Sequence, residues 1–332
     1  MCAIKTENLT KQFNSTIAVD HISFSVKEGE LFGLLGPNGA GKTTTINMLS
    51  TLLKPTSGYA EVSGFDVSKN KSAVRKNIGI VFQEPAIDTK LTGRENLEFH
   101  AMMYGMEKKR RRKRIKEVLA LVELTDKADV LAGLYSWGMK RRLEIARGLI
   151  HRPKVLFLDE PTLGLDAQTR RRIWEYIKKL NKENEVTVIL TTHYMEEADY
   201  LCDRVAIIDY GKIVALDAPE KLKDILGADV ISLRIEGKTD DFVKELKNVP
   251  WIKTIKKHDE NINLTIQHGE RRIPELIEIA RIKKTRVTSV NLHKPSLEDV
   301  FLYFTGRTIR ESEPTKGKRD WDIAKIWMRK GK

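Results

Sequence analysis

Cysteine is scarce in this sequence of 332 residues, since Cys2 and Cys202 are the only two. Two cysteines cannot build a disulfide framework or a zinc cage, so we interpret them as free thiols of a reducing cytosol. No run of 18 apolar residues occurs, so no segment is predicted to span a membrane. The N-terminal stretch MCAIKTENLT lacks the apolar core of a secretory signal, and we expect none. A repeat of fixed period and a Gly-, Ser- or Pro-rich linker are also lacking, which argues against a repeat architecture.

Acidic residues are outnumbered, but only locally. The net charge of +13 comes from residues 108–116, with eight bases and no acid, and from residues 307–332, with nine bases and four acids. The other 297 residues balance, with 42 bases and 42 acids. A balanced body argues against a surface that coats nucleic acid, so no nucleic-acid partner is expected.

Short apolar runs recur through the first 220 residues and are typical of buried parallel strands. These runs are Leu31–Leu35, Ile78–Phe82, Val155–Leu158, Val186–Leu190 and Val205–Ile208. Helical patterns lie between them, so an α/β domain with a parallel sheet is predicted for residues 1–220, with a mostly helical part at about 86–150.

The pattern changes after Pro219. Strand and helix patterns then follow in the order β-α-β-β-α-β, which is the ferredoxin-like split motif. We predict a small α+β domain over residues 228–306, closed by a helix at Pro295–Phe304, and then a basic tail over residues 307–332.

A glycine-rich loop joins the first apolar run to a helical pattern. Residues 36–43 read Gly-Pro-Asn-Gly-Ala-Gly-Lys-Thr and fit the phosphate-loop pattern. Its backbone N–H groups and the following helix N-terminus form an anion site. Lys42 can reach the β- and γ-phosphates, and the Thr43 hydroxyl can hold Mg²⁺. The alternative is a chance glycine-rich turn, which the strand before it and the helix after it disfavour.

Two carboxylates, Asp159 and Glu160, end the buried run that begins at Val155. Asp159 can lie beside the Mg²⁺ of the phosphate loop, and Glu160 can then orient or deprotonate an attacking water. His193 follows another apolar run at the carboxyl edge where parallel sheets bind ligands, which favours a catalytic role. The alternatives are solvated acids at a strand end and a structural histidine.

These motifs resemble those of the ATP-binding subunits of ABC transporters over about residues 3–220. The resemblance implies a P-loop NTPase fold (ABC ATPase) with a helical subdomain. It matches Phe13 to an aromatic that stacks on adenine and His193 to a histidine that contacts the γ-phosphate. It matches Gln83 to a catalytic glutamine that touches Mg²⁺ and links the site to the helical subdomain. It implies further nucleotide contacts from the phosphate loop, the signature motif and the D-loop: Gly36, Pro37, Asn38, Gly39, Ala40, Gly41, Lys42, Thr43, Thr44, Ser136, Gly138, Met139 and Asp166.

The family mechanism that the resemblance implies needs two such subunits. They pack head to tail as a homodimer or heterodimer, and each ATP lies between the phosphate loop of one and the signature of the other. One departure from the pattern is Trp137, which stands where the family usually has glycine. Because Ser136, Gly138 and Glu160 are retained, hydrolysis is expected to persist with the indole turned away from the phosphate.

The segment from Lys294 to Arg307 resembles the C-terminal part of daunorubicin- and doxorubicin-resistance ABC subunits. That resemblance implies an exporter of the ABC-2 type with a separate permease chain, a cargo such as a drug, lipid or other amphiphile, and a peripheral place on the cytoplasmic face of the membrane. For residues 228–306 a structural or dimer-contact role and the binding of a small regulator are both open.

Both basic segments have two interpretations. Residues 108–116 precede Ile115 and Val118, spaced as one helix face, so they form an amphipathic helix whose bases lie in water or touch anionic lipid headgroups. The tail at 316–332 is disordered or loosely docked, or it contacts a membrane surface.

Two other functional classes are alternatives to a transport ATPase. An ABC ATPase of DNA repair would carry a long coiled coil between phosphate loop and signature, but Lys42 and Ser136 are only 94 positions apart. Ribosome-acting members usually carry two cassettes, and this chain has one. A slow-turnover regulatory subunit is disfavoured by Glu160 and His193 and kept open by Trp137.

Overall fold

Three β-sheets organise the part of the chain that the structure describes. A computed structural model describes residues 2–84, 86–226, 229–236, 239–258, 261–266, 269–283 and 285–306. The described strands, in chain order, are β1 (Cys2–Phe13), β2 (Thr16–Lys27), β3 (Leu31–Leu35), β4 (Ser57–Val62), β5 (Phe65–Asp66), β6 (Ile78–Val81), β7 (Val155–Asp159), β8 (Thr187–Thr192), β9 (Arg204–Asp209), β10 (Lys212–Asp217), β11 (Asp229–Glu236), β12 (Ile252–His258), β13 (Asn261–Ile266) and β14 (Arg286–His293).

The helices lie mainly between the strands. They are α1 (Lys42–Leu49), α2 (Lys71–Asn77), α3 (Gly93–Met103), α4 (Lys108–Leu121), α5 (Trp137–Leu149), α6 (Ala167–Asn184), α7 (Met195–Leu201), α8 (Pro219–Asp224), α9 (Thr239–Lys247), α10 (Gly269–Ile282) and α11 (Leu297–Thr305). Two short 3₁₀ turns, Thr125–Lys127 and Ala132–Leu134, precede α5. Within the described ranges, no helix is both long and apolar enough to cross a membrane.

The central sheet has six strands in the order β10-β9-β3-β8-β7-β6, and all its pairings are parallel except that of the edge strand β10. The parallel strands are almost continuously apolar because both faces of the sheet are buried there. Side chains alternate between the faces: Phe32 and Phe157 join the core shared with the first, antiparallel sheet, whereas Leu31 and Leu158 join the core shared with the helices. The predicted α/β architecture is therefore confirmed.

Helix α4 carries the basic run and is amphipathic, as predicted. Its buried residues are Ile115, Val118 and Leu119. Arg111 pairs with Glu98, so part of the basic run is neutralised within the fold.

The third sheet has the strand order β12-β13-β11-β14 with every neighbouring pair antiparallel. This order, with α9 and α10 as the two connections, is the ferredoxin-like split motif and confirms that prediction. The sheet has its own hydrophobic core, to which Leu233, Phe242 and Leu276 belong. Helix α11 packs elsewhere, because Val300 and Phe301 join the core of the first part of the chain. The tail at 307–332 lies outside the described residues.

Candidate active site

The phosphate-loop residues follow strand β3 and end at the first turn of α1. Gly36 must be glycine, because a Cβ there would lie 2.2 Å from the carbonyl oxygen of Ile208. Gly41 caps α1 with a φ of 108°, a left-handed conformation that favours glycine. Between them Pro37 and Ala40 are buried. Asn38 and Gly39 form the exposed tip, and Thr44 lies in α1.

Lys42 lies inside the loop. Its side chain is 4% exposed, and Nζ donates to the carbonyl oxygens of Gly36 at 2.7 Å and Pro37 at 3.1 Å. Nζ also lies 3.3 Å from Oε1 of Glu160. Burial lowers the pKa of Lys42, and the nearby carboxylates oppose that effect only in part. The ammonium is therefore held by groups that an anionic ligand can replace.

Asp159 ends strand β7 and is hydrogen-bonded to two hydroxyl groups. Its Oδ1 accepts hydrogen bonds from Oγ1 of Thr43 at 3.1 Å and from Oγ1 of Thr191 at 2.5 Å. Burial raises the pKa of Asp159, and these two hydrogen bonds work in the opposite direction. Carboxylate and hydroxyl oxygens are the ligands that Mg²⁺ prefers, so Thr43 and Asp159 form a suitable pair for it.

Glu160 contacts both Lys42 and His193. Its backbone has a φ of 46°, which is rare for a residue with a side chain. One carboxylate oxygen faces Lys42, and the other lies 3.2 Å from Nδ1 of His193. Burial raises the pKa of Glu160, but the hydrogen bond with His193 and the charge of Lys42 outweigh it, so the pKa lies below its ordinary value. Glu160 is therefore an ionised carboxylate at neutral pH.

The order of the central sheet explains this convergence. Strands β3, β8 and β7 are neighbours, and their carboxyl ends carry the phosphate loop, His193 and the Asp159–Glu160 pair respectively. The structure therefore brings Lys42, Thr43, Asp159, Glu160 and His193 together at one sheet edge, as the sequence predicted.

Phe13 and Gln83 lie outside this hydrogen-bonded cluster. Phe13 ends strand β1, is 45% exposed, and has the Nζ of Lys11 5.0 Å from its ring centroid. The ring is thus available to stack on a base. Gln83 follows strand β6 with an exposed side chain and forms no hydrogen bond within the described residues.

The signature residues lie at the start of α5. Ser136 caps the helix, with its Oγ accepting from the backbone N–H of Met139 at 3.3 Å. A Cβ on Gly138 would lie 2.8 Å from a methyl carbon of Thr169, so glycine permits the close approach of α6. Trp137 is 46% exposed. Within the described part of the chain, none of the three hydrogen-bonds to the phosphate loop.

Asp166 is placed at the start of α6. It accepts hydrogen bonds from the backbone N–H and the hydroxyl of Thr169, which lower its pKa. This geometry is that of a helix N-cap, and the carboxylate is exposed. Like Ser136, it shares no hydrogen bond with the phosphate loop within the described residues.

Sequence reasoning missed a buried ion pair on α5. Arg141 and Glu144 are 5% and 0% exposed, and Nη1 lies 3.0 Å from Oε2. The signal was their position three residues apart on the helix face that also carries Ile145 and Gly148. A second missed group is Glu197, which is fully buried and accepts from Thr162 and Trp174.

Comparison with known families matches two parts of this chain. The ABC transporter family model matches residues 19–163, and the model of the C-terminal domain of DrrA1-3-like ATP-binding proteins matches residues 218–305.

Curated relatives match nearly the whole chain. It is 40% identical over 311 residues to the linearmycin resistance ATP-binding protein LnrL of Bacillus subtilis (strain 168), covering 93% of this chain and 100% of that one. It is 39% identical over 325 residues to the daunorubicin/doxorubicin resistance ATP-binding protein DrrA of Streptomyces peucetius, covering 97% and 98%.

Solved structures match about two thirds of the chain. One is CbiO1 of Clostridium perfringens, described as part of the ABC transporter complex CbiONQ, with 29% identity, a TM-score of 0.63, and 68% and 93% of the two chains covered. A dimeric ATP-binding cassette in a post-hydrolysis state with ADP and Pi has 31% identity and a TM-score of 0.58, with 65% and 98% covered.

Proposed function

This chain belongs to the ATP-binding proteins of ABC transporters, and from that premise we propose that it hydrolyses ATP to power an exporter whose permease is a separate chain. The observation that carries the proposal is the cluster of Lys42, Glu160 and His193 at the mouth of the phosphate loop. It combines a cation for phosphate, an ionised carboxylate and an imidazole in one buried site.

Each of these three groups has a proposed role in the hydrolysis of ATP. Lys42 exchanges its loop carbonyl contacts for the β- and γ-phosphates, and the loop N–H groups bind the same oxygens. Glu160 accepts a proton from water as the water oxygen bonds to the γ-phosphorus, while the bond to the β-phosphate oxygen breaks and leaves ADP. His193 holds Glu160 in place through Nδ1 and orients the γ-phosphate.

Mg²⁺ is part of this proposal. Thr43 and Asp159 would hold it, with Gln83 as a third contact that the resemblance supplies. When bound, the ion neutralises charge that develops on the phosphate oxygens. The chain's own contribution is the pair of hydroxyls, from Thr43 and Thr191, that fixes the Asp159 carboxylate.

A second ATP-binding subunit completes the proposed site. Ser136 and Gly138 lie at a helix N-terminus, which attracts phosphate, but among the described residues they form no hydrogen bond with the phosphate loop. A partner subunit packed head to tail would bring its signature to this loop. ATP would then stabilise the closed pair through contacts that ADP lacks. The size of an ATP-bound Glu160→Gln variant in solution tests this arrangement, because it should be dimeric with ATP and monomeric without.

The permease is proposed to contact helix α3, in the helical part of the chain. Phe99, Met102 and Met103 are 59%, 50% and 70% exposed there, so one helix end presents three large apolar side chains. Such a group marks an interaction surface. This docking would hold the protein on the cytoplasmic face of the membrane.

The cargo is proposed to be a drug, lipid or other amphiphile. The relatives named above are called resistance proteins for linearmycin and for daunorubicin or doxorubicin, which favours export over action on DNA or ribosomes. The deciding experiment isolates the Glu160→Gln variant with ATP from membranes and identifies what copurifies. We expect a multi-spanning membrane protein. Copurification with ribosomes or DNA alone would refute the proposal.

We also propose that the chain is divided into two domains. Residues 1–220 would form the ATP-binding domain, with its helical subdomain at about 86–150, and residues 228–306 the accessory domain. Its support is the separate hydrophobic core of the third sheet.

Direct contact of helix α4 with anionic lipid is a further part of the proposal. Lys108, Lys109, Arg110 and Lys113 form no ion pair within the described residues. Each base close to such a surface contributes about 1 kcal/mol. Vesicle co-sedimentation of wild type and a variant neutralised at residues 108–113 tests this contact, since equal binding would remove it.

A further inference from the structure

Arg141 occupies the junction of three segments that meet behind the site. It lies on α5, five residues after Ser136, and its side chain is 5% exposed. Nη2 donates to the carbonyl oxygens of Asp159 and Glu160, both at 3.1 Å, and Nε donates to that of Pro161 at 2.7 Å. One guanidinium therefore binds three consecutive carbonyls.

The backbone conformation of Glu160 explains why one guanidinium can bind all three carbonyl oxygens. Its left-handed φ of 46° turns the chain sharply after strand β7, so the next carbonyls face the same side. Buried carbonyls need donors, and Arg141 supplies them. On the other side the N–H of Glu160 donates to the hydroxyl and the carbonyl of Thr191, at 3.0 and 3.2 Å. The unusual turn is thus held from both sides, and it aims the carboxylate at Lys42 and His193.

The ion pair of Arg141 with Glu144 also binds the loop that carries Gln83. Nη1 of Arg141 donates to the carbonyl oxygen of Phe82. Glu144, bound to Arg141, accepts from the backbone N–H of Ala86 at 2.8 Å. Arg141 and Glu144 therefore anchor this loop on both sides of Gln83.

We propose that Arg141 is a positioning residue for ATP hydrolysis, which fixes the backbone of Glu160 and the loop of Gln83 to the helix that begins at Ser136. The inference rests on the proposed role of Glu160 as base. It adds a physical link, within one subunit, between the groups that act on its own ATP and the helix that faces the partner's ATP. Lysine cannot replace Arg141, because a single ammonium lacks the planar fork with five N–H donors.

Two variants separate positioning from stability. Arg141→Lys keeps a charge beside Glu144 but loses the fork. The double variant Arg141→Met with Glu144→Leu removes both buried charges, a replacement that often preserves stability, yet leaves the three carbonyls without their donor. Arg142→Gln is the control on the same helix, since the partners of Arg142 among the described residues are the carbonyls of Val122 and Glu123 and the Glu123 carboxylate.

Steady-state ATPase kinetics, binding of a fluorescent ATP analogue and thermal unfolding are measured for each variant. We expect kcat to fall about 100-fold in both Arg141 variants, as for misplaced catalytic groups. The analogue's Kd should change less than about 3-fold, because Arg141 touches none of the phosphate-binding groups. The control should keep wild-type kcat.

The opposite results would overturn the inference. Wild-type kcat in either folded Arg141 variant, or a Kd that rises as much as kcat falls, would show a purely structural role. If one variant fails to fold, the other decides. Glu160→Gln is measured alongside: if it abolishes turnover while Arg141→Lys turns over normally, only this inference fails, and if it turns over normally, the proposed role of Glu160 fails.

Discussion

Nζ of Lys42 lies 3.3 Å from a carboxylate oxygen of Glu160, and the two side chains are 4% and 8% exposed. Each group therefore neutralises the other in a place where an isolated charge would be costly. When a triphosphate binds Lys42 in place of Glu160, His193 remains as the ion-pair partner of Glu160. Nucleotide binding therefore changes which charged groups contact Glu160, the proposed base.

Replacement of Glu160 by Gln tests the base directly. The amide cannot accept the proton from water, so kcat is expected to fall by about 10²- to 10⁴-fold while ATP binding is retained. Because the pKa of Glu160 is lowered, wild-type kcat should show no loss from its protonation between pH 6 and 8. Glu196→Gln is the control, since Glu196 is exposed on α7. Phosphate release assays at several pH values measure both; undiminished turnover in Glu160→Gln contradicts the assignment.

Thr43 is predicted to set the Mg²⁺ requirement. Thr43→Val keeps the shape but removes the hydroxyl that bonds Asp159 at 3.1 Å, so half-maximal turnover should need about 10- to 100-fold more Mg²⁺. Thr43→Ser retains a hydroxyl and should behave like wild type. Turnover measured against Mg²⁺ at fixed ATP gives the answer, and identical curves for the valine and serine variants would count against metal binding here.

Trp137 is predicted to leave the rate of hydrolysis almost unchanged. Its indole is 46% exposed at the first position of α5, and a Trp137→Gly variant should turn over within about 3-fold of wild type. Stability should fall by up to about 1 kcal/mol, because glycine is a poor helix former. ATPase rates and urea unfolding measure these effects. A large gain in rate would show that the indole obstructs the site.

His293 and Asp299 are predicted to make the docking of α11 sensitive to pH. Nε2 of His293 lies 3.0 Å from the Asp299 carboxylate, whose hydrogen bond raises the pKa of His293 above 6.5. A raised pKa stabilises the fold fully below the ordinary value, and the contribution is lost as pH rises through the folded value. His293→Gln should therefore destabilise the protein at pH 6 and less at pH 9.

Thermal unfolding of wild type and His293→Gln across pH 5.5–9 measures that difference. A difference that stays constant over the whole range would mean that the pair does not titrate with folding.

The sequence determined much of the site because the site residues follow regular hydrophobic patterns along the chain. Nearly unbroken apolar runs predicted buried parallel strands, and the carboxyl edge of such strands predicted where Lys42, Asp159, Glu160 and His193 would meet. The β-α-β-β-α-β order was likewise readable, since each element has its own hydrophobic period.

Only the tertiary structure decided which charges are buried. Arg141 and Glu144 share the buried face of α5, but charged residues on a helix are solvated by default, so this position did not show that they lie beneath Glu160. Their partners are backbone carbonyls and an N–H from distant segments, and backbone groups look the same in every sequence. The packing of Val300 and Phe301 against the first part of the chain was also hidden, because an apolar helix face shows that it needs a partner without showing which one.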